Sequence, residues 1–584
     1  MGDDMTLTLA DLLQADGLEI GGGANTTLRF TDTMADSLPD IDVDGDGTDD
    51  INGIDASGFN VDIVSVLNML AAGEDLDEIF YQLPESVTKE IYTGRGFVEG
   101  VTQTVVIDEG TTVPGFLSFN RPEADTEVKF FNLIMEGGTE LSGDLRLSQS
   151  DFESGQVQTD LQTVTITSQG TAENLVTGDT ANIITGNIST APGIPTWHAP
   201  NDLLNLTINA EQDFILEGSV IFESVINSEY DDGITANDDD EALATLNVDG
   251  PADVTLDDLD TSDDEVVELV VNHTGDGDLT FGLSSLTTID EDDLITVNGS
   301  ATGMDTIVIS GEVDLSDDVL NEVDAIVLDE TAGADAELTL TQAQLDAIGP
   351  GNITVEENGA DSILNVVELG SDPFDATALS DAIDTVNVTT AEGNVTLDPT
   401  TNLTGVNQIT VPEGSTLNLT AEQFQQLDEA GAIDGIDEDG DPTTDYTINI
   451  TGLTNADVTR DLDGDGYGDP DDGFDLSGVT ADNITVTLGE DEVTLGEYDD
   501  DGVLIPGSAS VIGDAEFILA DNQTLNLVNE TQADGLDVTG GVDSTLVWMF
   551  QGPIPVGDFI DASGYDVTTL KALAVFVGGR NVEN

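Results

Sequence analysis

Short runs of alternating apolar and polar residues recur along most of this chain and limit the folds open to it. They are rich in Val, Ile and Thr, and from about residue 140 Gly, Asn or Asp interrupts them every ten to fifteen residues or so. Alternation places the apolar side chains on one face of a strand, and this spacing is typical of a β-sandwich array or a β-solenoid. We therefore expect a mainly β, multi-module fold. Examples of the runs are residues 163–167, 266–271, 305–310, 352–355, 384–390 and 446–450.

The N-terminal part has a different pattern. Apolar residues recur at helical spacing within residues 60–92, which predicts two short helices. We therefore expect an α+β domain at the N-terminus, followed by β modules. The predicted boundaries are 1–140 for the N-terminal domain with a calcium loop, 141–250 for a β module, 251–430 for repetitive β modules, 431–480 for a calcium-loop segment and 481–584 for a C-terminal β module with an assembly or secretion role.

The charge of the chain limits the solvent conditions in which it can fold and the partners that it can bind. It has 121 acidic and 9 basic residues, a formal net charge of -112. Such a chain repels itself unless salt or divalent cations screen it, and the alternating apolar runs argue against disorder. Phosphate binding needs a basic surface, which excludes nucleic acid as a partner. With no Cys and only His198 and His273, disulfides and thiolate or imidazole metal sites are excluded too.

Three Asp-rich loops have the spacing of calcium ligands. Ca²⁺ takes about six to eight oxygen ligands, and alternate acidic residues around a Gly turn every second side chain inward. In the third loop Pro442 stands at the Gly position. The sequence therefore predicts Ca²⁺ as the cofactor. The candidate ligands are Asp461, Asp463, Asp465, Tyr467 (through its carbonyl), Asp469 and Asp472 in the first loop, Asp42, Asp44, Asp46, Thr48 and Asp50 in the second, and Asp437, Asp439, Asp441, Thr443 and Asp445 in the third.

These loops resemble the calcium loops of dockerins and thrombospondin type 3 repeats more than complete EF-hands, because flanking helices are not evident around 437–472. The resemblance implies a constitutive structural role for the calcium. The remaining acidic clusters are interpreted either as a solvated acidic face or as calcium sites between modules. They are residues 231–232, 238–241, 257–260, 263–265 and 499–501.

A repeated unit links strands to helical turns. Residues 338–345 (LTLTQAQL) match residues 417–424 (LNLTAEQF), and residues 145–152 are a weaker copy. Two alternating leucines end a strand, Thr or Ser caps a helical turn, and Gln or Asp three residues later completes a capping box. The next Leu or Phe packs the turn against the sheet. Sequons such as those at Asn394 and Asn418 follow from alternation in Thr-rich strands, with N-glycosylation as the alternative.

In composition and in this repeated unit the chain resembles bacterial surface-layer proteins and large repetitive surface adhesins; acidic haloarchaeal surface glycoproteins are an alternative source. The resemblance implies calcium dependence, self-assembly and, for type I secretion, an uncleaved C-terminal signal. The N-terminus lacks the pattern of a Sec signal peptide, which agrees with that route. No run of about eighteen apolar residues predicts a membrane helix.

The expected function is that of a calcium-stabilised extracellular structural protein that self-assembles into a surface layer, sheath or filament, and not of an enzyme. Residues 14–20 and 532–538 are similar, which favours head-to-tail assembly unless both are a common turn. The alternatives are a calcium-dependent adhesin or matrix protein that binds cell-surface glycans, and an extracellular polysaccharide-degrading enzyme.

Overall fold

The computed structural model describes the short strands that precede residue 94 and most of the chain from residue 102 to residue 575. The described residues in that part are 102–107, 109–113, 117–121, 130–149, 163–173, 180–190, 205–222, 242–261, 266–284, 294–330, 335–356, 360–427, 433–436, 442–458, 474, 476, 479, 481–496, 515–528, 532, 536–551 and 565–575. They form two compact units, residues 1–336 with 356–358 (unit 1) and residues 337–355 with 359–584 (unit 2). The molecule is mainly β, as the alternation predicts.

Unit 1 contains thirty-one of the described strands. They are β1 (Thr6–Leu9), β2 (Ile20–Gly21), β3 (Thr27–Phe30), β4 (Thr33–Met34), β5 (Asp40–Ile41), β6 (Ile51–Asp55), β7 (Phe59–Asn60), β8 (Ile63–Val66), β9 (Met69–Leu70), β10 (Glu78–Gln82), β11 (Glu90–Thr93), β12 (Thr102–Ile107), β13 (Thr112–Val113), β14 (Leu117–Arg121), β15 (Phe130–Glu136), β16 (Glu140–Leu141), β17 (Leu145–Gln149), β18 (Thr163–Gln169), β19 (Asn182–Ile184), β20 (Ile188–Thr190), β21 (Asn205–Ala210), β22 (Phe214–Ile221), β23 (Ala242–Asp249), β24 (Val254–Asp260), β25 (Val266–His273), β26 (Leu279–Ser284), β27 (Leu294–Asn298), β28 (Asp305–Ser310), β29 (Glu312–Asp314), β30 (Val319–Asn321) and β31 (Ala325–Asp329).

Two long sheets organise unit 1. Sheet 1 has the order β1-β3-β8-β11-β14-β17-β20-β22-β24-β26-β28-β31, and sheet 2 has the order β30-β27-β25-β23-β21-β18-β15-β12-β10-β6-β5. From β21 to β28 consecutive strands belong alternately to sheet 2 and sheet 1, and neighbours within each sheet are parallel. The chain therefore returns to each sheet once per pair of strands, one position further along. The pair β5 and β6 is antiparallel.

The core of unit 1 consists of columns of apolar side chains from successive strands. Leu206, Leu246, Val271 and Val297 occupy equivalent positions in sheet 2 and are buried. The turns between the sheets also pack closely: a Cβ atom on Gly303 would lie 1.9 Å from the carbonyl oxygen of Gly277. Glycine is needed there because no side chain fits so close to a neighbouring backbone.

Unit 2 follows the same principle with three sheets. Sheet 3 has the order β32-β34-β35-β37-β39-β40, sheet 4 has β36-β38-β41-β42-β44-β46-β48, and sheet 5 has β43-β45-β47-β49. Apart from the antiparallel β39–β40 pair, the strand pairs described in these sheets are parallel. The strands are β32 (Ala336–Thr341), β33 (Ile353–Glu356), β34 (Ser362–Leu369), β35 (Thr385–Thr390), β36 (Asn394–Thr396), β37 (Gln408–Pro412), β38 (Thr416–Thr420), β39 (Ile433–Ile436), β40 (Pro442–Thr443), β41 (Thr447–Leu453), β42 (Asn483–Leu488), β43 (Glu492–Thr494), β44 (Glu516–Leu519), β45 (Thr524–Leu527), β46 (Asp537–Gly540), β47 (Thr545–Gln551), β48 (Tyr565–Asp566) and β49 (Thr569–Val575).

The helices of the described residues are short, and two of them confirm the repeated unit. α1 (Gln342–Ile348) begins after Thr341 and α2 (Ala421–Phe424) begins after Thr420. Each has the predicted capping box, with Gln344 or Gln423 as the reciprocal partner. The Leu or Phe that follows is buried in both copies. The other helices are α3 (Asn455–Val458) and two 3-10 helices, Pro350–Asn352 and Ala376–Ala378.

The helices predicted within residues 60–92 are wrong for the residues that the structure describes there. Ile63–Val66, Met69–Leu70 and Glu78–Gln82 are strands, and the first and last of these pair in parallel with neighbouring strands. The spacing of apolar residues in a short run fits both a helix and a strand, so pairing with a neighbouring strand decides which of the two forms. The helical half of the predicted α+β domain is therefore not present in these residues.

Candidate functional site

The predicted calcium loops fall almost entirely outside the described residues. Within them lie only Thr443, the last residue of β40, and the exposed Asp445, whose backbone N–H donates to Thr443 Oγ1 at 3.2 Å. In the described part of the chain no group of three or more acidic or His side chains is arranged to hold a metal ion. The predicted ligands outside the described residues are Asp42, Asp44, Asp46, Thr48, Asp50, Asp437, Asp439, Asp441, Asp461, Asp463, Asp465, Tyr467, Asp469 and Asp472.

The strand pairing in sheet 4 nevertheless shows where the acidic loops enter the chain. A turn is here the stretch of chain from one residue to its partner on the next strand of the sheet. The two shortest turns of sheet 4 lead from Asn394 to Thr416 and from Glu516 to Asp537. The turns from Thr416 to Thr447 and from Thr447 to Asn483 are clearly longer. These two longer turns carry the third and the first Asp-rich loop. These two Asp-rich loops therefore lie in turns that are longer than the shortest ones of the same sheet.

Some of the acidic clusters that lack calcium-ligand spacing also lie in long turns. The turn from Thr485 to its partner Glu516 is also longer than the shortest ones, and it carries the acidic residues 499–501. In unit 1, the long turn from Leu206 to its partner Leu246 contains the clusters at 231–232 and 238–241. The clusters at 257–260 and 263–265 lie instead in the shorter turn from Val254 to its partner Leu279.

Amide side chains form ladders on the outer side of the sheets. In sheet 2, Asn272 Nδ2 donates to Asn247 Oδ1, Asn298 to Asn272, and Asn321 to Asn298, each at 3.0 Å. The four residues are in register on adjacent strands. Each amide satisfies its neighbour, which fixes the register of the strands because a shift of one residue would break the whole column. Asn recurs at nearly equal intervals along the chain, and this recurrence is the sequence signal for the ladder. The search for calcium-ligand spacing in the Asp-rich loops could not find this signal.

Sheet 4 has the most uniform outer surface. Asn418 Nδ2 donates to Asn394 Oδ1 at 2.6 Å, Asn449 Nδ2 to Asn418 Oδ1 at 2.7 Å, and the Thr485 hydroxyl to Asn449 Oδ1. Strands β36, β38, β41 and β42 direct eleven side chains outward, and all eleven are Asn or Thr. Gly452, which also lies on the outside of β41, has no side chain. We call this surface the Asn/Thr face. It comprises Asn394, Thr396, Thr416, Asn418, Thr420, Thr447, Asn449, Thr451, Asn483, Thr485 and Thr487.

The Asn/Thr face also explains several sequons. The Asn-x-Thr motifs that start at Asn394, Asn418, Asn449 and Asn483 lie in strands, with both polar residues directed outward and the central residue buried. The amide nitrogens of Asn418 and Asn449 are ladder donors. Strand alternation is thus sufficient to generate these motifs.

A buried His–Asp pair lies in unit 1. His273 Nδ1 is 2.7 Å from Asp305 Oδ1, and both side chains are almost completely buried. Asp305 Oδ2 accepts the N–H of Ser300 at 2.6 Å. Asp305 continues a column that is otherwise apolar, since it pairs with Leu279, which pairs with Val254. The pair therefore holds two adjacent turns together in a position closed to solvent. His198, the other histidine, lies outside the described residues.

Two aspartates of unit 1 are half-buried and have raised pKa values. Burial raises the pKa of Asp318 to about 7, assisted by the charges of Asp314 and Asp317 and opposed by the hydrogen bond from Ile295 N. Burial also raises the pKa of Asp258, against hydrogen bonds from Ser284 and Ser219. The pairing of Asp258 with Ser219 follows a register shift between β22 and β24. The carboxyl group of Asp258 is thus partly covered by protein, whereas a solvated acidic surface is one of the two interpretations of the cluster at 257–260.

Comparison with protein-family models, with curated proteins and with solved structures finds no match to this chain. Among the described residues no helix is long and apolar enough to cross a membrane. Function is therefore inferred from the repeated strands, the polar ladders and the acidic loops.

Proposed function

We propose that this chain is a calcium-stabilised extracellular structural protein, built as a parallel β-solenoid, that self-assembles into a surface layer, sheath or filament. The observation that carries the proposal is the repetition: strand after strand returns in parallel register to the same sheets, with one apolar column inside and one polar ladder outside.

The connectivity of the strands supports the proposed solenoid. Parallel neighbours need a crossover connection, and from β21 to β28 the crossover is itself a strand of the other sheet. Each turn then contacts mainly the turns before and after it, as in other repeat proteins. Such a framework grows in one direction and presents long, regular outer faces, which suits a load-bearing or lattice-forming protein.

Calcium is proposed from charge and from the Asp-rich loops. A net charge of -112 opposes both folding and assembly. The chain has no cysteine with which to form disulfides, and oxygen-rich loops offer Ca²⁺ a substitute. Asp461, Asp463 and Asp465 would supply carboxylates from the loop with the fullest ligand spacing. Because these residues lie outside the described strands, they can be changed without altering one of those strands.

The proposal is tested with the full chain at moderate salt, with millimolar Ca²⁺, with Mg²⁺ and with EDTA. We expect Ca²⁺ to raise the melting temperature, since a ligand bound at 100 times its Kd adds about 2.7 kcal/mol. We also expect Ca²⁺ to produce ordered sheets or fibres by light scattering and electron microscopy. A monomer in every condition, with no thermal shift on chelation, contradicts the proposal.

A matched pair of triple variants isolates the loop. Asp461→Asn, Asp463→Asn and Asp465→Asn together should remove most of the Ca²⁺-dependent gain in melting temperature. The same three changes at Asp499, Asp500 and Asp501 alter charge equally in another long turn without ligand spacing, and should preserve the gain. Equal loss in both would mean that screening, not site binding, explains the calcium effect. Saturable glycan binding without polymerisation would favour an adhesin instead.

A further inference from the structure

The Asn/Thr face is a surface without charge on a very acidic protein. None of its eleven outward side chains is ionisable, whereas acidic residues number 121 of 584 in the chain. The boundary is sharp within sheet 4 itself: Glu516 and Asp537 take the equivalent positions on the next two strands, β44 and β46.

The amides at the middle of the face are also already paired with one another or with a neighbouring hydroxyl. The amides of Asn418 and Asn449 donate along the ladder, and Asn418 Nδ2 makes a second bond to Val395 O at 2.7 Å. Burying a polar group is costly mainly when it loses its hydrogen bonds. Covering this face leaves the ladder bonds intact, whereas covering a carboxylate surface strips hydration from charges that have no counter-ion.

The other outer surfaces of unit 2 carry carboxylates within their ladders. In sheet 3, Asn365 donates to Glu337 at 2.7 Å and Gln408 donates to Asp434 at 2.8 Å. In sheet 5, the buried Asn526 donates to the exposed carboxylate of Glu492 at 2.9 Å. Two molecules of the same negative sign approach at least cost where neither presents a carboxylate.

We propose that the Asn/Thr face is a contact surface for a second copy of this chain, with the same face of each copy meeting across a two-fold axis. The inference rests on the proposed self-assembly. With strands about 4.8 Å apart and about 3.3 Å per residue, four strands cover far less than the roughly 800 Å² per partner of a stable complex. The contact is therefore a weak lateral one that acts when repeated in an array.

The test places a charge on the first residue of β41, one of the two inner strands of the face. Thr447 pairs with Thr416 on one side and Asn483 on the other, outside the amide ladder. Thr447→Glu and Thr447→Lys are compared with wild type for the critical concentration of assembly in Ca²⁺, measured by sedimentation. Because either charge would be covered by a face without counter-charges, both variants should raise the critical concentration at least about tenfold. Thr385→Glu, on the outer side of sheet 3, should leave it unchanged.

The outcomes separate the two proposals. Melting temperatures within a few degrees of wild type establish that the variants fold. If wild type does not assemble in Ca²⁺, the proposed function fails. If wild type assembles and both Thr447 variants assemble equally well, only the interface is overturned. A Lys variant that assembles better than wild type would mean that the face meets an acidic surface. Unchanged assembly with loss of binding to a neutral polysaccharide such as dextran would make the face a glycan site.

Discussion

The two units of the molecule share a pattern of apolar columns but differ in the polar groups that they bury. In the described residues the buried acidic and histidine side chains all belong to unit 1: they are Asp260, His273, Asp305 and Glu330. Unit 2 instead buries neutral amides, namely Gln342, Gln423, Gln523, Asn526 and Gln532. Unit 1 also buries one amide, that of Asn182.

The buried amides and the buried carboxylates both supply hydrogen-bond partners to backbone groups inside the fold. A turn of this fold brings backbone N–H and C=O groups inside, where each needs a partner. An amide satisfies both kinds at once: Gln423 accepts from Thr420 N at 2.9 Å and donates to the Asp398 carbonyl of a neighbouring turn at 2.7 Å. A carboxylate accepts only, so Asp305 needs donors such as Ser300 N and an imidazole. The comparison predicts that unit 1 responds to charge and pH more than unit 2.

The largest expected effect comes from breaking the buried pair. His273→Ala leaves the Asp305 carboxylate buried without its imidazole, which costs about 3–5 kcal/mol. Hydrogen exchange should show the loss in unit 1. Replacing both residues by Leu should recover most of it, because the position of Asp305 is apolar on the preceding strands. The exposed neighbour change Thr274→Ala serves as control, and a loss under about 1 kcal/mol for His273→Ala would refute the role of the pair.

An intermediate effect is expected in unit 2. Gln423→Met keeps the approximate volume but removes the bonds to Thr420 N and to the Asp398 and Thr401 carbonyls. Unsatisfied buried groups cost about 1–3 kcal/mol each, so we expect a loss of about 2–3 kcal/mol by urea unfolding. The loss should be the same at pH 5 and pH 8 because no charge is involved. The exposed Glu422→Ala should change little, and a pH-dependent loss would contradict the comparison.

A smaller effect tests titration in unit 1. The pKa of Asp318 is raised by burial to about 7, so the folded protein holds this proton more tightly than the unfolded chain. Its contribution is most favourable below about pH 4 and is lost as pH rises through about 7. Asp318→Asn keeps an acceptor for Ile295 N and should therefore stabilise the protein above pH 8, by about 1–2 kcal/mol after solvent screening. No gain is expected near pH 4, and an equal gain at both pH values would exclude titration as the cause.

Part of the fold followed directly from local sequence. The strand at 305–310 has the predicted bounds, and Thr341 and Thr420 cap helical turns with Gln partners three residues later. These features depend on side chains near one another in the chain. The helices predicted within residues 60–92 failed because the same apolar positions also suit strands, and pairing with distant strands decided the outcome.

For the candidate site, the amino-acid sequence determined the acidity, the spacing of the Asp-rich loops and the alternation that makes the outer side chains Asn and Thr. Only the tertiary structure decided that Asn394, Asn418 and Asn449 form one ladder and that His273 meets Asp305 inside unit 1. The physical reason is distance along the chain. Alternation fixes which face a residue takes, but the register between strands depends on turn lengths and on every contact of the column together, and no local pattern contains that information.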